Sequence, residues 1–255
     1  MTHIRLAGNR EFDLSGPGPV FPDLSFRSSW QAFEQIYLRV GQRFESGSTQ
    51  QLEEGYLLLD GSVSVEMPEL VVEPQGPCAL LCGVDSAHRI VAQTDALLLR
   101  IAVGVSKPSP PRFGVQDFDR EALDWQASIH GGGGCIATRH LWRPEDFVSS
   151  WTFVDHAILQ TGSSVGYHYH DHLEESFIVL RGHGYMTLDD ATFEVEPGSV
   201  TFQREGAHHG IYNPFEEEFD FIRVAVAAPD QQFATVDLDE DMRSRSPSDG
   251  DPFGT

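Results

Sequence analysis

Lysine is nearly absent from this chain of 255 residues: Lys107 is the only one, and arginine supplies the rest of the 17 basic side chains. Set against 39 acidic residues, this leaves a formal net charge of −22. A surface so negative repels phosphate backbones and anionic headgroups, which argues against a nucleic-acid or membrane partner. No apolar run approaches the roughly 20 residues that span a bilayer. The opening MTHIRLAGNREFDLSG has no apolar core of the kind a secretory leader needs, so a cytoplasmic location is expected. Cysteine is scarce. Cys78, Cys82 and Cys135 are odd in number and not spaced as zinc-binding pairs, so free, buried thiols in a reducing compartment are expected. There is no G-x-S-x-G elbow and no dinucleotide fingerprint after a strand. Gly131 to Gly134 lacks both the Gly-Lys-Ser/Thr sequence and the strand-loop-helix context of a phosphate loop, and reads as a flexible lead into the second half.

Long helical periodicity is missing too, apart from a helical turn or two within Phe118 to Gln126. What is present is strand patterning. Ile36, Leu38 and Val40 alternate, as do Ala157 and Leu159, while Tyr56 to Leu59 and Phe177 to Leu180 are continuous apolar runs suited to strands covered on both faces. The pattern also repeats. Trp30 to Gly61 aligns without a gap onto Trp151 to Gly182 at an offset of 121, so that EEGYLLLDG lies over EESFIVLRG. Further on, His88 lies over His209 and LLRIAV over FIRVAV. An all-β protein of two similar halves is expected.

The most informative stretch is Gly162 to Gly182, GSSVGYHYHDHLEESFIVLRG. Residues two apart on a strand share a face, so His168 and His170 point the same way and Glu175 on the next strand can meet them. Two imidazoles and a carboxylate converging on a β-scaffold form an open-sided metal centre. Gly162, His168, His170, Glu175 and Gly182 resemble the first signature motif of the cupin superfamily at every fixed position. Gly198, Gly206, His209 and Asn213 resemble the second, with Arg204 where that motif has proline.

The cupin resemblance implies jelly-roll barrels, here two in tandem (a bicupin), with one divalent transition metal held by His168, His170, Glu175 and His209. The repeat places Gly47 where His168 stands and Thr49 where His170 stands, leaving Glu54 and His88. The N-terminal barrel is therefore expected to have lost its metal. The expected organisation is a degenerate barrel over 1–106, a Pro-rich linker over 107–125, a metal-binding barrel over 126–228 and an acidic, disordered tail over 229–255. His172 and His208 are expected off the metal, Glu174 on the outer face, and Arg223, like Arg100, in a structural ion pair. Gln203, Glu205 and His156 are candidate hydrogen-bond acceptors for the ligand imidazoles.

Such a centre implies an enzyme acting on a small polar metabolite, as a monomer or homodimer. Iron(II) with oxygen-dependent oxidation (a dioxygenase or oxidase) is the leading reading. Manganese, nickel, copper or zinc, with isomerase, lyase or aminohydrolase chemistry, is the alternative. A non-catalytic small-molecule-binding cupin is the third.

Overall fold

The computed structural model describes residues 2–6, 17–46, 51–84, 86–105 and 112–247. Strands dominate, and among the described residues the only helices are three short 3-10 turns. None is long and apolar enough to cross a membrane.

The repeat in the sequence is a repeat in space. The first barrel joins a six-stranded sheet, ordered Phe113–Asp117, Cys78–Cys82, Leu52–Asp60, Ala96–Gly104, Trp30–Leu38, Gly18–Pro19, to a four-stranded sheet, ordered Arg43–Ser46, His88–Ala92, Val63–Met67, Leu70–Val72. Ile36, Tyr56, Leu80 and Leu98 from the one and Val63, Val65 and Ile90 from the other form its inner core. In the second barrel, the larger sheet runs His3–Arg5, Ser199–Gln203, Leu173–Arg181, Phe219–Ala227, Trp151–Leu159, Cys135–Trp142, Asp124–Ala127. The smaller runs Ala191–Val195, Gly184–Leu188, His209–Tyr212, Ser164–Asp171, Ala234–Asp237. Phe177, Phe219 and Phe221 meet Val165, Met186 and Ile211 inside it.

The barrels are bound back to back by the outer faces of their larger sheets. Trp30, Phe33, Leu57 and Leu81 share a single core with Trp151, Ile178, Phe202 and Val224. Because such strands are covered on both faces, they read as unbroken apolar runs instead of alternating ones. Each fully buried side chain of this kind stabilises by roughly 1.5–3 kcal/mol relative to its exposed state. The halves are equivalent in detail: Phe26 stacks on Trp30 with centroids 5.7 Å apart, and Phe147 on Trp151 at 5.3 Å.

Polar anchors flank this core. Glu174, 1% exposed, reaches across to the first barrel and accepts from the Arg27 N–H (3.0 Å), the Ser28 N–H (3.0 Å) and the Ser28 hydroxyl (2.6 Å). Its repeat equivalent Glu53 accepts from the Val148 N–H (3.1 Å), the Ser149 N–H (3.1 Å) and the Ser149 hydroxyl (2.6 Å). Glu174 does turn away from Glu175, but into this interface and not onto a solvated outer face.

Edge strands are exchanged. His3–Arg5 pairs with Ser199–Thr201 of the second barrel, while Phe113–Asp117 pairs with Cys78–Cys82 of the first. Phe113–Asp117 lies in the stretch expected as a Pro-rich linker. Its composition hid it because an edge strand, paired on one side, needs little apolar surface.

The acidic segment after 228 also departs from expectation. Ala234–Asp237 adds a strand beside Ser164–Asp171, and Met242–Ser244 forms a 3-10 turn that buries Met242. Polar composition misled here because the segment supplies backbone pairing and ion pairs to a core that already exists, and need not bury one of its own. Residues 248–255 lie outside the described residues.

Candidate metal centre

The chain leaves one sheet of the second barrel and enters the other at His172, whose φ of 60° makes the tight turn. This fold-over brings the two halves of the motif together. His168 and His170 sit on Ser164–Asp171, Glu175 on Leu173–Arg181, and His209 opens His209–Tyr212 directly opposite His168. One ligand atom from each of the four lies within 4.8 Å of all the others. All four are at least nine-tenths buried.

Hydrogen bonding orients the imidazoles. His168 donates from Nδ1 to the Gly166 carbonyl (2.9 Å), and His209 donates from Nδ1 to the Ala207 carbonyl (3.1 Å). A carbonyl only accepts, so each bond places the proton on Nδ1 and leaves the Nε2 lone pair free. His170 Nδ1 meets the Thr235 hydroxyl at 2.9 Å. The Nε2 atoms of His170 and His209 lie 3.3 and 3.2 Å from Glu175 Oε2. Despite that proximity, His209 Nε2 and both Glu175 oxygens are buried without an aligned hydrogen-bond partner. Buried polar atoms are normally paired, so four orphaned or converging donors in one place fit a cation at their centre. Three nitrogens and one oxygen suit a borderline transition ion; calcium or magnesium would call for an all-oxygen cage.

Charge at the site is set by burial. Burial, reinforced by the neighbouring His209 and His130, pushes the His168 pKa far down, keeping the ring neutral and able to ligate. For Glu175, burial alone would raise the carboxyl pKa, but the close approach of His170 and His209, together with the charge of Arg223, holds it well below the usual range.

Neighbouring expectations divide. His172 is about half exposed and paired with Glu205 at 2.8 Å, off the cluster. His208 packs on the rings of Tyr167 and Tyr169 on the opposite face. Arg223 pairs with Asp155 (2.8 Å), as Arg100 does with Glu34 (2.5 Å), the repeated ion pair expected. Asn213 clamps a turn, donating to the Leu159 and Glu217 carbonyls. Arg204, in place of proline, still permits a closed turn, with the Ala207 N–H donating to the Arg204 carbonyl and the Gly206 N–H to the His170 carbonyl. None of the three expected acceptors serves the imidazoles: Glu205 holds His172, His156 bonds Asp220 (2.9 Å), and Gln203 donates to Thr201.

His130 was not singled out by the sequence. Its ring stacks on His168 with centroids 3.9 Å apart, and its Nδ1 meets Asp237 at 2.6 Å. The glycines after it are not a flexible lead-in. A Cβ on Gly132 would fall 2.1 Å from the Ser164 carbonyl oxygen, and one on Gly166 would fall 1.7 Å from that of His130. The bare backbone is what lets this loop lie flat on the ligand strand. A histidine beside four glycines, opposite a strand carrying H-x-H, was the available signal.

The first barrel shows what the site becomes without its histidine pair. Gly47 and Thr49 lie outside the described residues. Glu54 is taken up by Arg100 (2.5 Å) and by the Ser46 hydroxyl. His88 Nε2 bonds the Tyr56 hydroxyl at 2.8 Å, and its Nδ1 bonds the Ser86 carbonyl at 2.6 Å. Tyr56 lies over Phe177 in the repeat. Internal partners thus occupy the positions where the second barrel leaves lone pairs open.

Comparison with known proteins agrees with this geometry. Residues 155–225 match the family model described as a cupin domain. A curated relative, the oxalate-binding protein of Thermotoga maritima, is 27% identical over 100 residues, which are 39% of this chain and 83% of that protein. Among solved structures, a cupin 2 conserved barrel domain protein from Leptotrichia buccalis is similar over 85% of this chain and 98% of its own (TM-score 0.60, 14% identity). The oxalate decarboxylase of Lactobacillus farciminis in complex with formate is similar over 83% of this chain and 80% of its own (TM-score 0.59, 14% identity). At such identities the structural likeness speaks for the fold. Two jelly-roll barrels in tandem, the second carrying the cupin-domain match around its histidine and glutamate cluster, give this chain a bicupin fold.

Proposed function

We propose that the second barrel holds one divalent transition metal through His168, His170, Glu175 and His209, and uses it to act on a small carboxylate of the oxalate class, by lyase chemistry in preference to oxidation. The observation that carries the reading is the convergence of three imidazoles and one unpartnered carboxylate in a buried site. The carboxylate class rests on the likeness to the oxalate-binding relative. A bound ion would supply Lewis acidity, or electrons if redox-active, to a substrate chelated through two oxygens. The chain supplies the rest. It keeps His168 neutral, keeps Glu175 ionised, and surrounds the site with apolar side chains such as Phe177 that exclude water. Three neutral imidazoles and one carboxylate leave a divalent ion with a net charge of about +1, which favours an anionic ligand.

The relative's designation as a binding protein favours a second reading, in which oxalate is held without turnover. The test is elemental analysis of wild type, His168→Ala and His209→Ala, followed by isothermal titration with oxalate and a coupled assay for carbon dioxide and formate. About one metal per chain, absent from both variants, together with metal-dependent oxalate turnover under anaerobic conditions, is expected. Oxygen uptake stoichiometric with turnover would restore the oxidase reading. Binding without products would favour the second reading. Absence of metal from reconstituted wild type would refute the metal centre.

A further inference from the structure

The orientation of the three imidazoles is asymmetric. His168 and His209 are each held by a carbonyl two residues back on their own backbone, Gly166 and Ala207. His170 is held differently. Its Nδ1 contact is the hydroxyl of Thr235, at 2.9 Å, 65 residues on in the segment that follows the barrel. Thr235 stands directly opposite His170 in the strand pairing, and Asp237 stands directly opposite His168.

That segment, residues 229–247, is a strap laid along the ligand strand. Its polar anchors are spread over its length: Asp237 on His130, the Tyr167 N–H on the Glu240 carbonyl, Asp241 on the Ser164 hydroxyl (2.6 Å), and Arg245 over the Tyr167 ring at 4.5 Å. Four separate attachments, all on the strand that carries His168 and His170 or on the His130 that covers it, are more than a passive tail requires. The strap residues of Ala234–Asp237 are themselves largely exposed, so strand pairing and these bonds hold that part, and Met242 further on is the strap's buried apolar anchor.

We propose that the strap is a part of the metal centre: Thr235 is a positioning residue that fixes the His170 ring with Nε2 toward the ion, and metal binding and strap docking stabilise each other. This rests on the metal reading above. A threonine hydroxyl that accepts from Nδ1–H leaves Nε2 as the lone-pair donor, the state a metal selects. Whatever the metal gains from a docked Thr235, the docked strap must gain from the metal, because coupling between two sites is reciprocal.

The experiment is cobalt(II) titration of metal-free full-length protein, read by absorbance and by competition with a chromophoric chelator. It uses wild type, Thr235→Val, which is near-isosteric but cannot accept, and Thr235→Ser, which can. Valine is expected to weaken cobalt binding about tenfold or more, in the range for lost outer-shell partners, and serine to restore it to near the wild-type value. Equal affinity of wild type and Thr235→Val would overturn the proposal, as would equal loss in both variants. Hydrogen–deuterium exchange on unmodified protein supplies an independent arm should Thr235→Val fold poorly. Cobalt is expected to slow amide exchange across residues 234–237, and unchanged exchange there on saturation would also overturn the proposal. Wild type that binds no cobalt would refute the metal reading itself, which separates the two failures.

Discussion

Replacing Glu174 by glutamine tests whether the two carboxylates that cross between the barrels hold them together. The change preserves shape and removes one acceptor. Glu174 Oε2 takes both the Ser28 N–H and hydroxyl, while the Arg27 N–H is shared between Oε1 at 3.0 Å and Oε2 at 3.2 Å. In its best orientation the glutamine oxygen keeps Ser28, and its amide nitrogen then faces the Arg27 N–H, donor against donor. The Arg27 N–H keeps only its longer contact, 3.2 Å to the retained oxygen position, and all the bonds lose their charge assistance. Bonds to charged groups contribute about 1.5–3 kcal/mol each, so the expected loss is about 3 kcal/mol. For a chain of this size that lowers Tm by roughly 6–12 °C. Glu53→Gln should cost about the same, because it mirrors the donors and distances. The assay is calorimetry and urea denaturation on metal-free protein, with metal stoichiometry measured in parallel. A loss below about 1 kcal/mol in both variants, or loss of metal with no loss of stability, would refute the reasoning.

Two further predictions concern titrating groups. Burial, with a smaller contribution from Asp117, pushes the Cys78 thiol up to about 12. Iodoacetamide at about pH 8 should therefore leave it unmodified in the native protein and alkylate it only on denaturation, since the thiolate is the nucleophile; rapid native labelling on peptide mapping would contradict this. The His140 pKa is raised, chiefly by its hydrogen bond to Asp155. A raised pKa contributes stability that is fully present below the ordinary His value of about 6.5 and fades as pH rises through the folded value. The urea-denaturation gap between wild type and His140→Asn should therefore be larger near about pH 5.5 than near about pH 8.5, and a gap that widened with pH would overturn the assignment.

The all-β fold and the doubling were legible because both are written in local pattern: apolar runs, H-x-H spacing, and a gapless repeat at 121 residues. The convergence of His168, His170 and Glu175 needed only the period of a strand and one fold-over at His172, while His209 was expected there from the resemblance to the second cupin motif. What the pattern hid was everything that arrives from a distance and does not need to be apolar. Thr235 and Asp237 sit on a strand whose side chains are mostly exposed, so no alternation marks it. Glu174 and Glu53 look like ordinary acidic residues in an acidic chain until the partner barrel supplies Ser28 and Ser149. The close approach behind His130 depends on where Gly132 and Gly166 meet, which no one-dimensional spacing reveals.

The exchanged edge strands bear on how such a chain can be made. Residues His3–Arg5 leave the ribosome long before the strand they join, Ser199–Gln203. The first barrel, for its part, waits for Phe113–Asp117 before its larger sheet has both edges. The first barrel is thus complete once residue 117 has emerged, whereas the second cannot be built from its own contiguous stretch. The N-terminal segment must stay uncommitted while about 190 further residues emerge, at least ten seconds at ordinary translation rates. A gene split after residue 117 would yield a second polypeptide missing a strand that the first carries, so the second half should be recoverable only by being produced together with the first.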